Sequence, residues 1–304
     1  MSNLPIASLP SITELPSGAK LIVETSAGTK IIEGGNLRAG LIGLFAGHGA
    51  AAHNGIYRGK NLTSVYTDAE LHAMIADGSF EDLYIGDYIE KSITTSYGGT
   101  ETVRFIFAGF DLFLHNGGTE VTSHHAVLVP EDCFKTKAAM NSSNTTANGY
   151  NGSAMKSTVL PVYAAAIKSA FSNYVLSHQR LLTNGISTSG TSMAGAGFTG
   201  YASGWAWQDV DICLMNEVQL YGTTVLSSSF YDVGDGNLQF PLFALDPTKK
   251  VAGCGLDAGT EGRSSFWLSA VASATSFAAC ADNGDAAYSG ASTSLGVRPY
   301  FLLS

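Results

Sequence analysis

The chain has 304 residues and a formal net charge of -9, with 45% hydrophobic and 13% charged residues. A composition this apolar excludes a disordered polyelectrolyte and can build a large core. The 16 Lys and Arg are scattered, which argues against a nucleic-acid partner because a phosphate backbone selects basic stripes. Membrane insertion is not expected either. The longest apolar runs, such as residues 103–114, are interrupted by Arg104, Gly109 and Asp111, short of the roughly 20 residues a spanning helix needs. The first residues lack the basic start and apolar segment of a secretory signal, so export by that route is not expected.

In chain order, residues 1–36 read as a small extended module. Pro5, Pro10 and Pro16 punctuate short apolar stretches, and residues 20–24 and 29–33 flank Ala27-Gly28 like a hairpin. Gly34-Gly35 and the glycine- and alanine-rich residues 38–52 read as a joint, with a short helix able to pack against copies of itself. The first unit is accordingly set at residues 1–45 and the second at 46–304. Thr67-Asp68-Ala69-Glu70 fits a capping box, predicting a helix over residues 68–76 that carries Leu71, Met74 and Ile75 on one face and stops at Gly78. Residues 82–93 and 102–114 alternate as strands do, and residues 125–130 form a third short β segment. The best helix begins near Thr158 with Pro161 in its first turn, where a missing N–H costs nothing, and runs to about Val175. A second helix is expected over residues 211–220, ending at Gly222. Strands are expected at 266–271, 276–280 and 296–302. The fold class is α+β, with two main helices among short antiparallel strands and long ordered loops.

Motifs that resemble chemistry mostly lack their partners. Gly190-Thr191-Ser192-Met193-Ala194 matches a serine-protease nucleophile motif, but the His-Gly pair His48-Gly49 has no aspartate before it, and a triad needs base and carboxylate as well as serine. His124-His125 could ligate a metal with Asp132 or His115. Adjacent strand residues point to opposite faces, however, so one buried and one surface histidine are expected. Residues 232–237 carry the flavour of a calcium loop without its alternating oxygens or its twelfth-position Glu. Asp209, Asp211 and Glu217 lie near Trp205 and Trp207 and would suit a sugar cleft, yet either aspartate could equally cap a helix. Cys133, Cys213, Cys254 and Cys280 form no C-x-x-C pair and are expected as free thiols in a reducing cytosol. No catalytic residue, metal or cofactor is expected.

The C-terminal stretch carries the sharpest signal. From Leu268 to Ser304 there is no Lys, Glu, Gln, Met or Trp. Apolar anchors stand at wide intervals, with Ser, Ala, Thr, Gly, Asp and Asn between them. Asn-type codons mutated at their adenines yield Asn, Asp, Ser, Gly, Tyr, Thr, Ala, Cys and several apolar residues, but none of the absent ones.

The frame Trp267-Leu268, Ser273-Ala274, Phe277-Ala278, Gly284, Ala291-Ser292 and Gly296-Val297-Arg298-Pro299 resembles the C-terminus of phage and prophage variable proteins diversified by retroelements. His53-Asn54-Gly55-Ile56-Tyr57-Arg58-Gly59, Tyr84-Ile85-Gly86-Asp87-Tyr88, His124-His125, Leu181-Leu182-Thr183-Asn184 and Leu214-Met215-Asn216-Glu217 resemble the body of the same family. Leu4-Pro5-Ile6-Ala7-Ser8-Leu9-Pro10, with Ala27-Gly28-Thr29-Lys30-Ile31-Ile32, is similar to short virion-attachment modules of phage fibres. The resemblance implies a C-type-lectin-like domain displayed on a virion, on a head or tail fibre, made in the host cytoplasm and binding a host-surface protein or glycan. It implies attachment to other virion proteins through the N-terminus, and a homotrimer is expected through that segment and the joint at residues 37–45. Trp267, Phe277, Gly284, Tyr288, Gly296, Arg298 and Pro299 would be the fixed frame. The variable contacts would be Ser269, Ala270, Ser276, Ala279, Ala281, Asp282, Asn283, Asp285, Ala287, Ser289, Thr293 and Leu295. Two other readings are a static decoration protein of the particle and a glycan-modifying enzyme using Asp209, Asp211 or Glu217.

Overall fold

The computed structural model describes residues 20–25, 28–33, 49–192, 199–226, 235, 238–254 and 262–304. The chain divides into two units, residues 1–48 and 49–304. In the first, β1 (Lys20–Thr25) and β2 (Gly28–Glu33) form an antiparallel hairpin. The Pro-punctuated residues 4–10 and the joint at 37–45 lie outside the described residues.

The second unit is mixed α+β with few helices. Its main sheet holds β3 (Tyr88–Thr95), β4 (Gly99–Phe110), β5 (Ala126–Pro130), β6 (Val175–Leu176), β11 (Ile212–Leu214) and β15 (Pro299–Leu303), in the order β11-β15-β5-β4-β3 with β6 also on β15. The ladders are antiparallel. Five consecutive buried residues in both β5 and β15 show why these runs read as apolar without alternation: both faces of the sheet are covered. Smaller sheets pair β7 (His178–Leu182) with β10 (Ala206–Val210) and β8 (Gly185–Ser192) with β9 (Thr199–Ser203). A three-stranded sheet joins β12 (Phe266–Val271), β13 (Ser276–Cys280) and β14 (Ala286–Gly290).

The helices are α1 (Ala50–His53), α2 (Asp68–Ala76), α3 (Leu160–Ala170), α4 (Glu217–Tyr221) and α5 (Pro241–Leu245). Helix α2 has the expected capping box, with Thr67 accepting from Glu70 N–H and the Glu70 carboxylate taking Thr67 N–H at 2.8 Å. A π-helical turn, Met155–Val159, leads into α3, which packs Leu160, Tyr163, Ala164 and Ile167 inward. Behind it, Phe105, Phe171 and Phe301 meet with ring centres 5.3 to 5.4 Å apart.

Several elements differ from expectation for local reasons. The helix expected over residues 211–220 is instead strand β11 followed by α4. Ile212–Leu214 are all buried against β15, and the cap is Asn216, not Asp209 or Asp211. The strand expected from residue 82 starts at Tyr88, because Asp82 (φ 56) and Gly86 (φ 85) turn the backbone. The strand expected to reach residue 114 ends at Phe110, where Asp111 takes φ 53. Helix α3 stops at Ala170 because Ser172 and Asn173 adopt left-handed backbone. Strand β15 begins at Pro299, since Gly296 is bonded to Ser265 and Trp267 instead. Strand β14 was not expected.

Candidate ligand-binding surface

The three-stranded sheet β12-β13-β14 separates a buried frame from an outward-facing set. Trp267 is fully buried and its indole N–H donates to the Ala138 carbonyl at 2.8 Å. That carbonyl also accepts Leu295 N–H at 3.1 Å, while Ala138 N–H donates to Leu295 O. One backbone position therefore ties both ends of the C-terminal stretch. Phe277 is fully buried on β13. Gly296 is a glycine because of space: a Cβ there would lie 2.4 Å from Cys133 Sγ and 3.0 Å from Ser265 O.

Arg298 is fully buried without a carboxylate partner among the described residues. Its Nε donates to Pro130 O at 2.8 Å and its Nη1 to Lys249 O at 3.0 Å, and its guanidinium lies 5.1 Å from the Phe266 ring centre. Burial depresses its pKa. It serves as a brace between the end of β5, the segment at Lys249 and the start of β15. Burial also pushes the neighbouring Cys133 thiol up to about 12, so that sulfur is inert packing. All four cysteines are free.

The outward-facing set begins at the β13–β14 turn. Ala281 N–H donates to Asp285 O at 2.8 Å, Asn283 Oδ1 accepts Asp285 N–H at 3.1 Å, and Gly284 supplies the left-handed residue at φ 91. The Tyr221 hydroxyl holds the Asp285 carbonyl at 3.0 Å. Asp282, Asn283 and Asp285 are exposed, as are Ser292, Thr293 and Ser294. The latter segment is pinned by Asn144, whose Oδ1 accepts both Ser292 N–H and its hydroxyl. Ala281, Ala287, Ser289 and Leu295 are half-buried. Ser269 is also half-buried and its N–H donates to Met215 O at 2.8 Å.

Four positions lie elsewhere than the sequence suggested. Ala270, Ser276 and Ala279, expected as contacts, are buried at 2%, 7% and 1% exposure, because both faces of β12 and β13 are covered. Tyr288, expected in the frame, is 49% exposed on β14. That strand is the edge of its sheet and has no fully buried face. The sheet thus carries one outward aromatic. Ser269 and Ala270 line a narrow cleft of about 20 Å³ with Trp205, Asn216, Arg180 and Tyr150, which admits about one water molecule.

Several of the candidate chemical groups are engaged by the fold. His125 is buried, donates its N–H to Asp111 and accepts Phe113 N–H at Nε2; burial lowers its pKa. His124 is partly exposed, with Nδ1 2.7 Å from Asp111. His115 is exposed beside Glu120, and Asp132 accepts Gly253 N–H. No group of three or more His, Cys, Asp or Glu side chains among the described residues is placed to hold a metal.

Glu217 is buried and accepts the N–H groups of Val225 and Leu226. Asp211 pairs with Lys168 at 2.7 Å, and Asp209 is exposed on β10. Glycoside hydrolysis needs two carboxyls facing one bond; Glu217 is turned to backbone N–H groups and Asp211 to Lys168, while Asp209 and Asp211 both line one open pocket with Lys156 and Lys168. Asp235 is the buried counter-ion of Arg180 at 2.7 Å; its loop neighbours Asp232 and Asn237 lie outside the described residues, as does the side chain of Ser192.

Comparison with protein-family models found no match, and neither did comparison with curated proteins or with solved structures.

Proposed function

We propose that this chain is a receptor-binding protein of a phage particle, whose C-type-lectin-like second unit binds a host-surface protein or glycan through a variable C-terminal surface. The supporting observation is the division within residues 266–304. Trp267, Phe277, Gly296 and Arg298 are buried, and the side chains of Trp267 and Arg298 donate to distant backbone carbonyls. The turn at 282–285, Tyr288 and residues 292–294 face outward on that support. Side chains there can change without disturbing the core, which a diversified surface requires. Tyr288 supplies a rigid aromatic of the kind that anchors interfaces. The first unit attaches the protein to the particle and joins it into a homotrimer. Display in many copies compensates for weak single sites by roughly 10² to 10⁴.

The test is binding of the labelled full chain to bacterial cells, compared with Tyr288→Ala and Asp282→Lys. These variants should fold normally and lose cell binding. Unchanged binding by both would remove the C-terminal surface from the function. A second reading, a static decoration protein, is favoured by one observation: the burial of Ala270, Ser276 and Ala279 shrinks the displayed set. It predicts no cell binding by the unmodified chain.

A further inference from the structure

The β1–β2 hairpin leaves two large aliphatic side chains in solvent. Ile22 is 74% and Ile31 64% exposed, and the register sets them directly opposite each other. Isolated exposed aliphatics are ordinary. Two β-branched residues facing across one ladder make a continuous apolar patch on a two-stranded sheet, and a sheet of two strands is marginally stable in water by itself. Neither strand has a second neighbour among the described residues. Exposed apolar surface on a two-stranded sheet offers a place for another chain to sit.

We propose that this face of the hairpin is a self-association surface, covered by further copies of the same chain arranged in a closed ring. The inference rests on the reading of the first unit as an oligomerising anchor and assigns that role to named residues. The register chooses the occupant. Lys20 stands level with Glu33, Ile22 with Ile31, and Glu24 with Thr29. When β1 of one copy adjoins β2 of the next at the same level, the cation meets the level of a carboxylate residue, isoleucine meets isoleucine, and Glu24 meets the level of a hydroxyl residue. These three levels, all on the face that carries the isoleucines, match; on the opposite face Leu21 stands level with Ile32 and Val23 with Lys30. A head-to-tail contact of this kind closes into a ring when the rotation permits. Nucleic acid would select lysines without the interleaved glutamates, and so would an anionic membrane.

The experiment measures the mass of the full chain by light scattering after gel filtration, for the unmodified protein and for Ile22→Thr/Ile31→Thr, which keeps β-branched residues in both strands. The unmodified chain should be a multimer at micromolar concentration. The double variant should need about a hundredfold higher concentration for half-assembly, roughly tenfold for each isoleucine withdrawn from an apolar contact. A multimer unaffected by the double variant would overturn the hairpin assignment and leave the oligomeric reading standing. A monomeric unmodified chain would overturn both, without touching the C-terminal binding surface.

Because the variant could unfold the hairpin, a second measurement mixes Ile22→Cys with Ile31→Cys under mild oxidation, with the unmodified chain as control for the native cysteines. The ring predicts a disulfide-linked pair only in the mixture. Ile22→Cys linking to itself would overturn the ring and indicate a two-fold contact instead.

Discussion

Trp267→Ala tests the division between frame and surface most sharply when set against Tyr288→Ala. Trp267 has no exposure, and its indole donates the 2.8 Å bond to Ala138 O. Deleting a buried aromatic costs about 3 to 5 kcal/mol through lost transfer energy and the cavity left behind. The Ala138 carbonyl retains Leu295 N–H, so loss of the indole bond adds little. In a unit of this size about 1 kcal/mol moves the midpoint by roughly 2 to 4 °C, giving a predicted fall of about 6 to 20 °C. Tyr288 is half in solvent on an edge strand, and surface changes stay within about 0.5 kcal/mol. Its alanine variant should therefore melt within about 2 °C of the parent. Thermal melts followed by near-ultraviolet circular dichroism provide the assay. Equal midpoint shifts for the two variants, in either direction, would refute the division.

Three further outcomes follow from the same geometry. Gly296→Ala should destabilise the protein, since the new Cβ would meet Cys133 Sγ at 2.4 Å; adding Cys133→Ala should restore part of the loss, and purely additive denaturation energies would contradict the contact. Gly284→Ala should cost about 1 to 2 kcal/mol because φ 91 is left-handed, read as a lower urea midpoint with an unchanged slope. His125 and His178 are buried with pKa values lowered mainly by desolvation, so the unfolded chain binds protons more readily than the folded one. Stability should be full above about pH 6.5 and fall at lower pH by up to about 1.4 kcal/mol per unit for each histidine until its folded pKa is reached. A flat urea midpoint from pH 7 to 5 would contradict this.

Much of the fold was legible where local chemistry and tertiary packing agree. The capping box at Thr67 and Glu70 marked α2 at Asp68–Ala76, and the apolar runs at residues 266–271 and 276–280 marked β12 and β13. The failures share a cause. Residues 212–214 sit within a helix-like stretch, but β15 offers a ladder that no local pattern reveals. Strand β14, Ala-Ala-Tyr-Ser-Gly, is built from residues that say little about strand or loop, and its pairing to β13 determines it. At the candidate site, large and chemically particular frame residues such as Trp267 and Arg298 were readable. The small residues between them were not, because Ala, Ser and Asn fit either a tight interior or solvent. The exposure of Tyr288 was not legible for a related reason: its position on an edge strand, which the run of small residues around it does not reveal, exposes it.

The central claim is tested most directly by sequencing the region encoding residues 260–304 deeply across a propagated population and scoring each substitution by codon base. The account predicts changes concentrated at adenines in codons for the outward positions Asp282, Asn283, Asp285, Tyr288 and Thr293, with Trp267, Phe277, Gly296, Arg298 and Pro299 constant. A uniform, invariant region, or substitutions spread equally over the buried frame, would contradict it.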